Sequence, residues 1–312
     1  MPVRETQVLT PDRVGIGRAA ELLQQGGLVA FPTETVYGLG ANARNGQAVA
    51  GIFAAKDRPR FNPLIVHVAS LDAAHEIGVI EGDALRLAGA FWPGPLSLVV
   101  PVRGAADLSD LVTAGLSTVA IRVPELPLSR GLLTQAGVPV AAPSANPSGR
   151  ISPTRADHVI DALSGRIDAV LDGGPCTVGL ESTIIAAGVP PRLLRPGGIP
   201  AEAIEACLGC ALALGGDGSI TAPGQLASHY APRGKVRLDA DGSKADEAML
   251  GFGSVPGDLN LSPAADLAEA AANLFQHMRL LDDGRDLAIA PIPDTGLGRA
   301  INDRLRRAAA DR

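Results

Sequence analysis

Leu28-Val29-Ala30-Phe31-Pro32-Thr33-Glu34-Thr35-Val36-Tyr37-Gly38-Leu39-Gly40 is the stretch that decides the fold class. Four apolar residues run into a proline, then two threonines and a glutamate, then glycines. A short run that is apolar at every position reads as a strand covered on both faces. Polar side chains at the end of such a strand stand in the mouth of an α/β sheet, where small polar ligands bind. The same residues also suit an ordinary turn in which threonine and glycine serve only local hydrogen bonds.

Outward from this stretch the pattern repeats. Further strands are expected at Leu64–Val68, Leu96–Val100, Val119–Val123, Val138–Ala142, Ala169–Asp172, Ser182–Ala186 and Arg192–Leu194. Helices are expected at Val14–Gln25, Ala48–Ala55, Ala84–Ala90, Ser129–Ala136, Arg155–Leu163 and Ala201–Cys207. This alternation predicts an α/β domain with a mixed sheet over residues 1–208. Residues 209–233 read as a long connector rich in glycine and proline, which is either a linker or a functional lid. Residues 234–312 read as a smaller α/β domain, with strands at Lys235–Leu238, Met249–Phe252 and Leu287–Ala290 and helices at Ala264–Leu281 and Leu297–Ala310.

The 312 residues suffice for roughly two domains. Only 3% are aromatic, so the core is expected to be aliphatic. A net charge of -6 excludes a general nucleic-acid coat, because counterion release needs many cationic contacts. Cys176, Cys207 and Cys210 are too few for a zinc site, and so sparse a set of thiols fits a reducing cytosol. Met1 to Gln7 has no signal-peptide pattern, and no apolar run reaches about 18 residues, so a cytoplasmic protein without a membrane span is expected.

Two further segments carry chemistry. Lys56-Asp57-Arg58-Pro59-Arg60-Phe61-Asn62-Pro63-Leu64 places three cations among prolines that stiffen the loop. Rigid cations suit phosphate oxygens, although a solvated basic loop has the same composition. Pro143-Ser144-Ala145-Asn146-Pro147-Ser148-Gly149-Arg150-Ile151-Ser152-Pro153-Thr154 follows a strand and precedes a helix. It offers hydroxyls and amides for an anion, or merely a polar turn with Thr154 as the helix cap. Thr118 and Arg122 flank an apolar strand. A buried Arg122 needs a partner, either a ligand carboxylate or an Asp of the same domain. His67 lies in an apolar run, where a satisfied core histidine is the plainer reading. No nucleophile elbow, Walker loop or zinc-protease motif is present, so the residues favour positioning of anionic substrates over covalent catalysis.

Taken in order, Pro32-Thr33-Glu34-Thr35-Val36-Tyr37-Gly38-Leu39, Lys56 with Arg58, Asn62-Pro63-Leu64, Pro143-Ser144-Ala145-Asn146, Glu181-Ser182-Thr183-Ile184 and Arg195-Pro196-Gly197 resemble the YrdC/Sua5 family. Ser228-His229-Tyr230-Ala231-Pro232 and the segment from Gly296 to Leu305 look like its longer, Sua5 type. The resemblance implies a twisted mixed sheet with a concave basic site, followed by a smaller Rossmann-like domain. It implies L-threonylcarbamoyladenylate synthase activity: threonine, bicarbonate or CO2, and ATP give the adenylate and pyrophosphate, for t6A modification of tRNA. By matching positions, Thr35, His67, Arg122, Ala142 and Ser182 are expected to hold threonine. Arg58, Asn62, Thr118, Ser144, Asn146, Ser152, Arg195 and Tyr230 are expected to hold ATP. Lys56 and Arg58 are the expected catalytic cations. Mg2+ is expected to arrive on the ATP phosphates, with no metal ligand from the side chains. Proteins that transfer threonylcarbamoyl to tRNA are the expected downstream partners. Lys56→Ala and Arg58→Ala are expected to leave folding nearly intact. Rival readings are a double-stranded RNA-binding module with a weak contact through Lys56–Arg60, a carbamoyl-transfer enzyme, and a regulator that binds ATP and threonine without turnover.

Overall fold

Each apolar run of the first 208 residues forms a strand, within a residue or two of its expected limits. The structure is a computed structural model that describes residues 5–59, 61–214 and 228–311. Arg60 and most of the expected connector lie outside the described residues. In chain order the first part holds β1 (Gln7–Leu9), α1 (Arg13–Gln24), β2 (Val29–Phe31), β3 (Gly38–Asn42), α2 (Gly46–Lys56), β4 (Ile65–His67), α3 (Leu71–His75) and α4 (Gly82–Phe91). It continues with β5 (Leu96–Pro101), α5 (Asp110–Thr113), β6 (Thr118–Arg122), α6 (Pro127–Ala136), β7 (Val140–Ala141), α7 (Ala156–Leu163), β8 (Ala169–Leu171), β9 (Thr183–Ala186), β10 (Arg192–Arg195), α8 (Ala201–Leu208) and β11 (Ala213–Leu214).

These strands form one mixed sheet, in the order β1-β8-β2-β3-β7-β4-β6-β5-β9-β10-β11. It therefore continues past residue 208 to Leu214. The second part holds β12 (Val236–Arg237), β13 (Glu247–Gly251), β14 (Leu259–Asn260), α9 (Leu267–Leu280), β15 (Asp286–Ile289) and α10 (Leu297–Ala309). Its four strands are parallel, ordered β12-β15-β13-β14, which is the small Rossmann-like layer expected from the sequence.

Local chemistry sets the boundaries. Asp12 caps α1 by accepting from Val14 N and Gly15 N, and Asn45 caps α2 in the same way. Thr154 does not cap α7, as one sequence reading had it; Arg155 holds that position without a side-chain bond. Instead, Thr154 N donates to His158 Nδ1 at 3.2 Å.

The core is aliphatic. Leu28, Leu39, Ile52, Val66, Leu98 and Ile121 belong to one buried cluster, and each contributes about 1.5–3 kcal/mol on burial. A second cluster around Leu250, Phe275, Ile289 and Ile301 also takes in Val36, Ile151, Leu180 and Tyr230. The small domain thus shares apolar packing with loops of the large one. Among the described residues no helix is long and apolar enough to cross a membrane.

Candidate active site

The register of the sheet brings chemistry-bearing residues into a row. His67 of β4 pairs with Arg122 of β6. Ser97 of β5 precedes Leu98, the partner of Ile121, and pairs with Ile184 of β9. Across β9, Ile184 faces Arg195 of β10. Ser182, just before β9, closes the row: its Oγ lies 2.7 Å from Ser97 Oγ.

Arg195 wraps the same point. Its Nε and Nη2 donate to Ser182 O at 3.1 and 2.9 Å, and Nη2 reaches Ser182 Oγ at 3.2 Å. Gly197 makes this approach possible, because a Cβ there would lie 2.4 Å from the Glu181 carbonyl oxygen.

Arg122 is buried, and its partner within the protein is Glu34, where the sequence reading named an aspartate. The Arg122 Nη2–Glu34 Oε1 pair is the shortest contact of the cluster. Arg122 Nη1 donates to Thr35 Oγ1 at 2.8 Å, and Nε to Gly94 O at 3.2 Å. Glu125 N donates to the second Glu34 oxygen at 3.1 Å. The turn after β2 is therefore a built socket for a guanidinium. Burial, and secondarily Arg122, push the His67 imidazole down to about 3, so it is neutral at physiological pH.

Arg58 owes its place to the end of α2. Asp57 caps that helix in the left-handed region at φ 51, so Arg58 N turns back to Phe53 O at 2.9 Å. The Arg58 guanidinium then lies against Pro63 O at 3.1 Å, with Nε unpartnered. Burial lowers Arg58 to about 10, which leaves it a cation at neutral pH. Beside it Asn62 is wholly buried, with neither side-chain polar atom bonded. Buried polar atoms are rarely left so, and among the described residues neither of these two has a hydrogen-bond partner.

Lys56 is placed otherwise than the sequence suggested. Its ammonium is fully buried and bonds the carbonyl oxygens of Ser144 and Asn146, behind the loop and not in the hollow. Burial, then Arg58, lower its proton affinity well below the usual lysine range. A charged or a neutral amine has enough N–H groups for both carbonyls, so Lys56 ties down the loop that presents Ser144.

Two of the last residues of the expected connector, His229 and Tyr230, line the hollow. Tyr230 adopts φ 62, a costly backbone state for a bulky residue, and is 1% exposed. Its ring stacks on Phe275 of α9 at 5.4 Å, and the His229 ring lies tilted against it at 4.1 Å. Arg304 of α10 lies 5.4 Å from its centroid. Ala231 N bonds Gly149 O at 2.9 Å, and His229 N bonds Arg307 O at 3.1 Å.

The result is a hollow lined by Thr35, Arg58, His67, Arg122, Ala142, Ser144, Ser182, Arg195 and Tyr230, all named by the sequence. Lys56, Asn62, Thr118, Asn146 and Ser152 are not in its lining. Thr118 opens β6, about 13 Å along the strand from Arg122. Asn146 Nδ2 donates to Pro147 O and Arg150 O, and Ser152 Oγ donates to Glu181 Oε1 at 2.6 Å. The lining also includes Thr33, Val36, Glu181 and His229, which sequence reasoning had not assigned. Their signal was present, since each directly neighbours or belongs to a quoted motif. Arg304, behind Glu181, also lies in a quoted motif, the segment from Gly296 to Leu305, but was given no role.

A family model described as telomere recombination, covering Sua5, YciO and YrdC, matches residues 21–197. A second, described as the C-terminal domain of threonylcarbamoyl-AMP synthase, matches residues 199–310. The chain is 42% identical to the threonylcarbamoyl-AMP synthase of Bacillus subtilis, over 98% of this chain and 96% of that one. It is 41% identical to the Pyrococcus abyssi enzyme of that name, over 94% of both. Its fold superposes on the crystal structure of P. abyssi Sua5 complexed with L-threonine with a TM-score of 0.88, at 37% identity and 97% coverage of both chains.

Proposed function

The chain belongs to the Sua5/YciO/YrdC family and carries the Sua5-type C-terminal domain, and from that premise we infer how its hollow makes threonylcarbamoyl-AMP. The reaction joins L-threonine, a carboxyl carbon from bicarbonate or CO2, and ATP; pyrophosphate leaves. The product serves tRNA modification. One observation carries the residue assignment: His67, Arg122 and Ser182 line the same hollow as Arg58, Ser144 and Arg195.

On this reading threonine lies along the row from Thr35 and His67 to Arg122, Ala142 and Ser182. Arg122 uses three of its five N–H groups within the protein, and the remaining two are available to the threonine carboxylate. Glu34 matches the charge of Arg122, so orientation is its main contribution. Neutral His67 can accept or donate one hydrogen bond without repelling the ammonium group.

On the same reading ATP lies against Arg58, Ser144 and Arg195, with Arg195 next to the threonine end through Ser182. Arg58 and Arg195 offset phosphate charge, and Ser144 offers a hydroxyl. Asn62, with two unpartnered polar atoms, fits a base or ribose contact beside Arg58. Asn146, Ser152 and Lys56 act behind the surface, by fixing the Ser144 loop and Glu181. Thr118 reaches ATP only if the nucleotide extends along β6. Mg2+ would enter on phosphate oxygens. Glu181, the acid among the described lining residues, is already committed to Arg304 and Ser152.

No enzyme nucleophile is required, because a carbamate oxygen attacks the α-phosphorus directly. Such transfer depends on alignment and charge neutralisation. The carbamate and the mixed anhydride are both water-sensitive, which gives the His229–Tyr230 cover its purpose. The test is pyrophosphate release by the full chain with ATP, Mg2+, threonine and bicarbonate. Release should require all of them. Equal release without threonine would mean simple ATP hydrolysis and overturn the reading.

A further inference from the structure

Helix α10 drives one arginine between two loops that border the hollow. Arg304 is wholly enclosed. Its Nε donates to Glu181 Oε2 at 2.8 Å, and Nη1 donates to Pro196 O at 2.8 Å. Pro196 follows Arg195, and Glu181 precedes Ser182, so one side chain from the C-terminal domain grips the two segments that carry Ser182 and Arg195. The neighbouring Asp303, which also accepts from Nη1 at 2.7 Å, is paired in turn with Arg307 at 3.1 Å.

Glu181 poses an electrostatic problem. It lines the hollow, and an uncompensated carboxylate beside a triphosphate repels it strongly where water is excluded. Burial favours its neutral form, but Arg304, Arg195 and the Ser152 hydroxyl outweigh burial and bring the carboxyl down to about 2. The charge is therefore present, and it has to be cancelled from behind.

We propose that Arg304 is a positioning residue supplied by the C-terminal domain: it cancels the charge of Glu181 and holds the Pro196 carbonyl next to Arg195, so that the hollow accepts the phosphates of ATP. This rests on the assignment of ATP to the hollow, and explains what the second domain contributes to it beyond covering Tyr230.

The experiment is steady-state kinetics on full chains carrying Arg304→Gln, Glu181→Gln, or both. Arg304→Gln should raise KM for ATP roughly tenfold, equivalent to about 1.4 kcal/mol, and KM for threonine far less. Adding Glu181→Gln to it should recover most of that loss. Glu181→Gln by itself should lower KM for ATP. The proposal is overturned if the double variant is no better than Arg304→Gln, or if both KM values rise together. Should Arg304→Gln not fold, Glu181→Gln still decides: a rise in KM for ATP makes Glu181 a direct contact and refutes a charge that must be cancelled. A parent enzyme that makes no pyrophosphate would instead refute the assignment of ATP itself.

Discussion

Arg122 and Glu34 form an ion pair that is almost completely shielded from water, with side chains 4% and 3% exposed. The sequence demanded a partner for an arginine on an apolar strand, and the partner comes from the turn after β2. Removing one member of such a pair leaves a bare charge in the interior, at a cost of about 3–5 kcal/mol. Glu34→Ala should therefore lower the denaturation midpoint substantially and abolish threonine-dependent turnover. Chemical denaturation of the parent and variant checks this. An unchanged midpoint would mean that Arg122 finds another counter-charge.

The two expected catalytic cations separate in their consequences. Arg58→Ala removes a guanidinium that faces the hollow, so pyrophosphate release should fall while the fold persists. Lys56→Ala should do both kinds of damage, because two buried carbonyl oxygens lose their donor, at about 1–3 kcal/mol. The sequence had suggested an intact fold for both. Thermal midpoints measured beside turnover distinguish them, and a Lys56→Ala protein as stable as the parent would contradict the structural role.

Cutting the chain after Leu208 should cost more than the cover over the site. Val36, Ile151 and Leu180 lie in the apolar cluster of the C-terminal domain and would face water. The fragment is expected to be inactive and to self-associate, which sedimentation would show. A monomeric, fully active fragment would remove both the cover and the shared core from the account.

Acid should weaken the fold in a defined window. Burial, aided by nearby cations, lowers His67 and His229 to about 3 and His158 to about 4. Their folded-state values lie below the unfolded value of 6.5, so their contribution is complete above pH 6.5 and shrinks as pH falls towards 3. Each contributes a slope of up to about 1.4 kcal/mol per pH unit. Stability should fall between pH 6.5 and 5, before most carboxylates titrate. A flat profile there would place the imidazoles in water.

Much of this was legible beforehand. Largely apolar runs such as Leu64–Val68 and Ser182–Ala186 announced covered strands, and motif residues such as Arg58, Arg122, Ser182 and Arg195 met at one hollow. β3 escaped notice because Gly38 and Gly40 weaken a strand pattern; at Gly40 a Cβ would sit 2.9 Å from both Phe31 and Val140 side-chain atoms, so the missing side chain is what lets the neighbours pack. β1 and β11 are edge strands of three and two residues, too short to carry a periodicity. Arg304 stood inside the Gly296 to Leu305 motif, but its contact was unreadable: it lies 123 residues from Glu181, and no local spacing encodes a contact of that range.

The most direct test is a crystal structure of the full chain with L-threonine and a non-hydrolysable ATP analogue bound together. Both molecules should occupy the one hollow, the threonine carboxylate at Arg122 and the phosphates between Arg58 and Arg195. Binding of the two in separate clefts, with Arg122, Arg58 and Arg195 touching neither, would contradict the account.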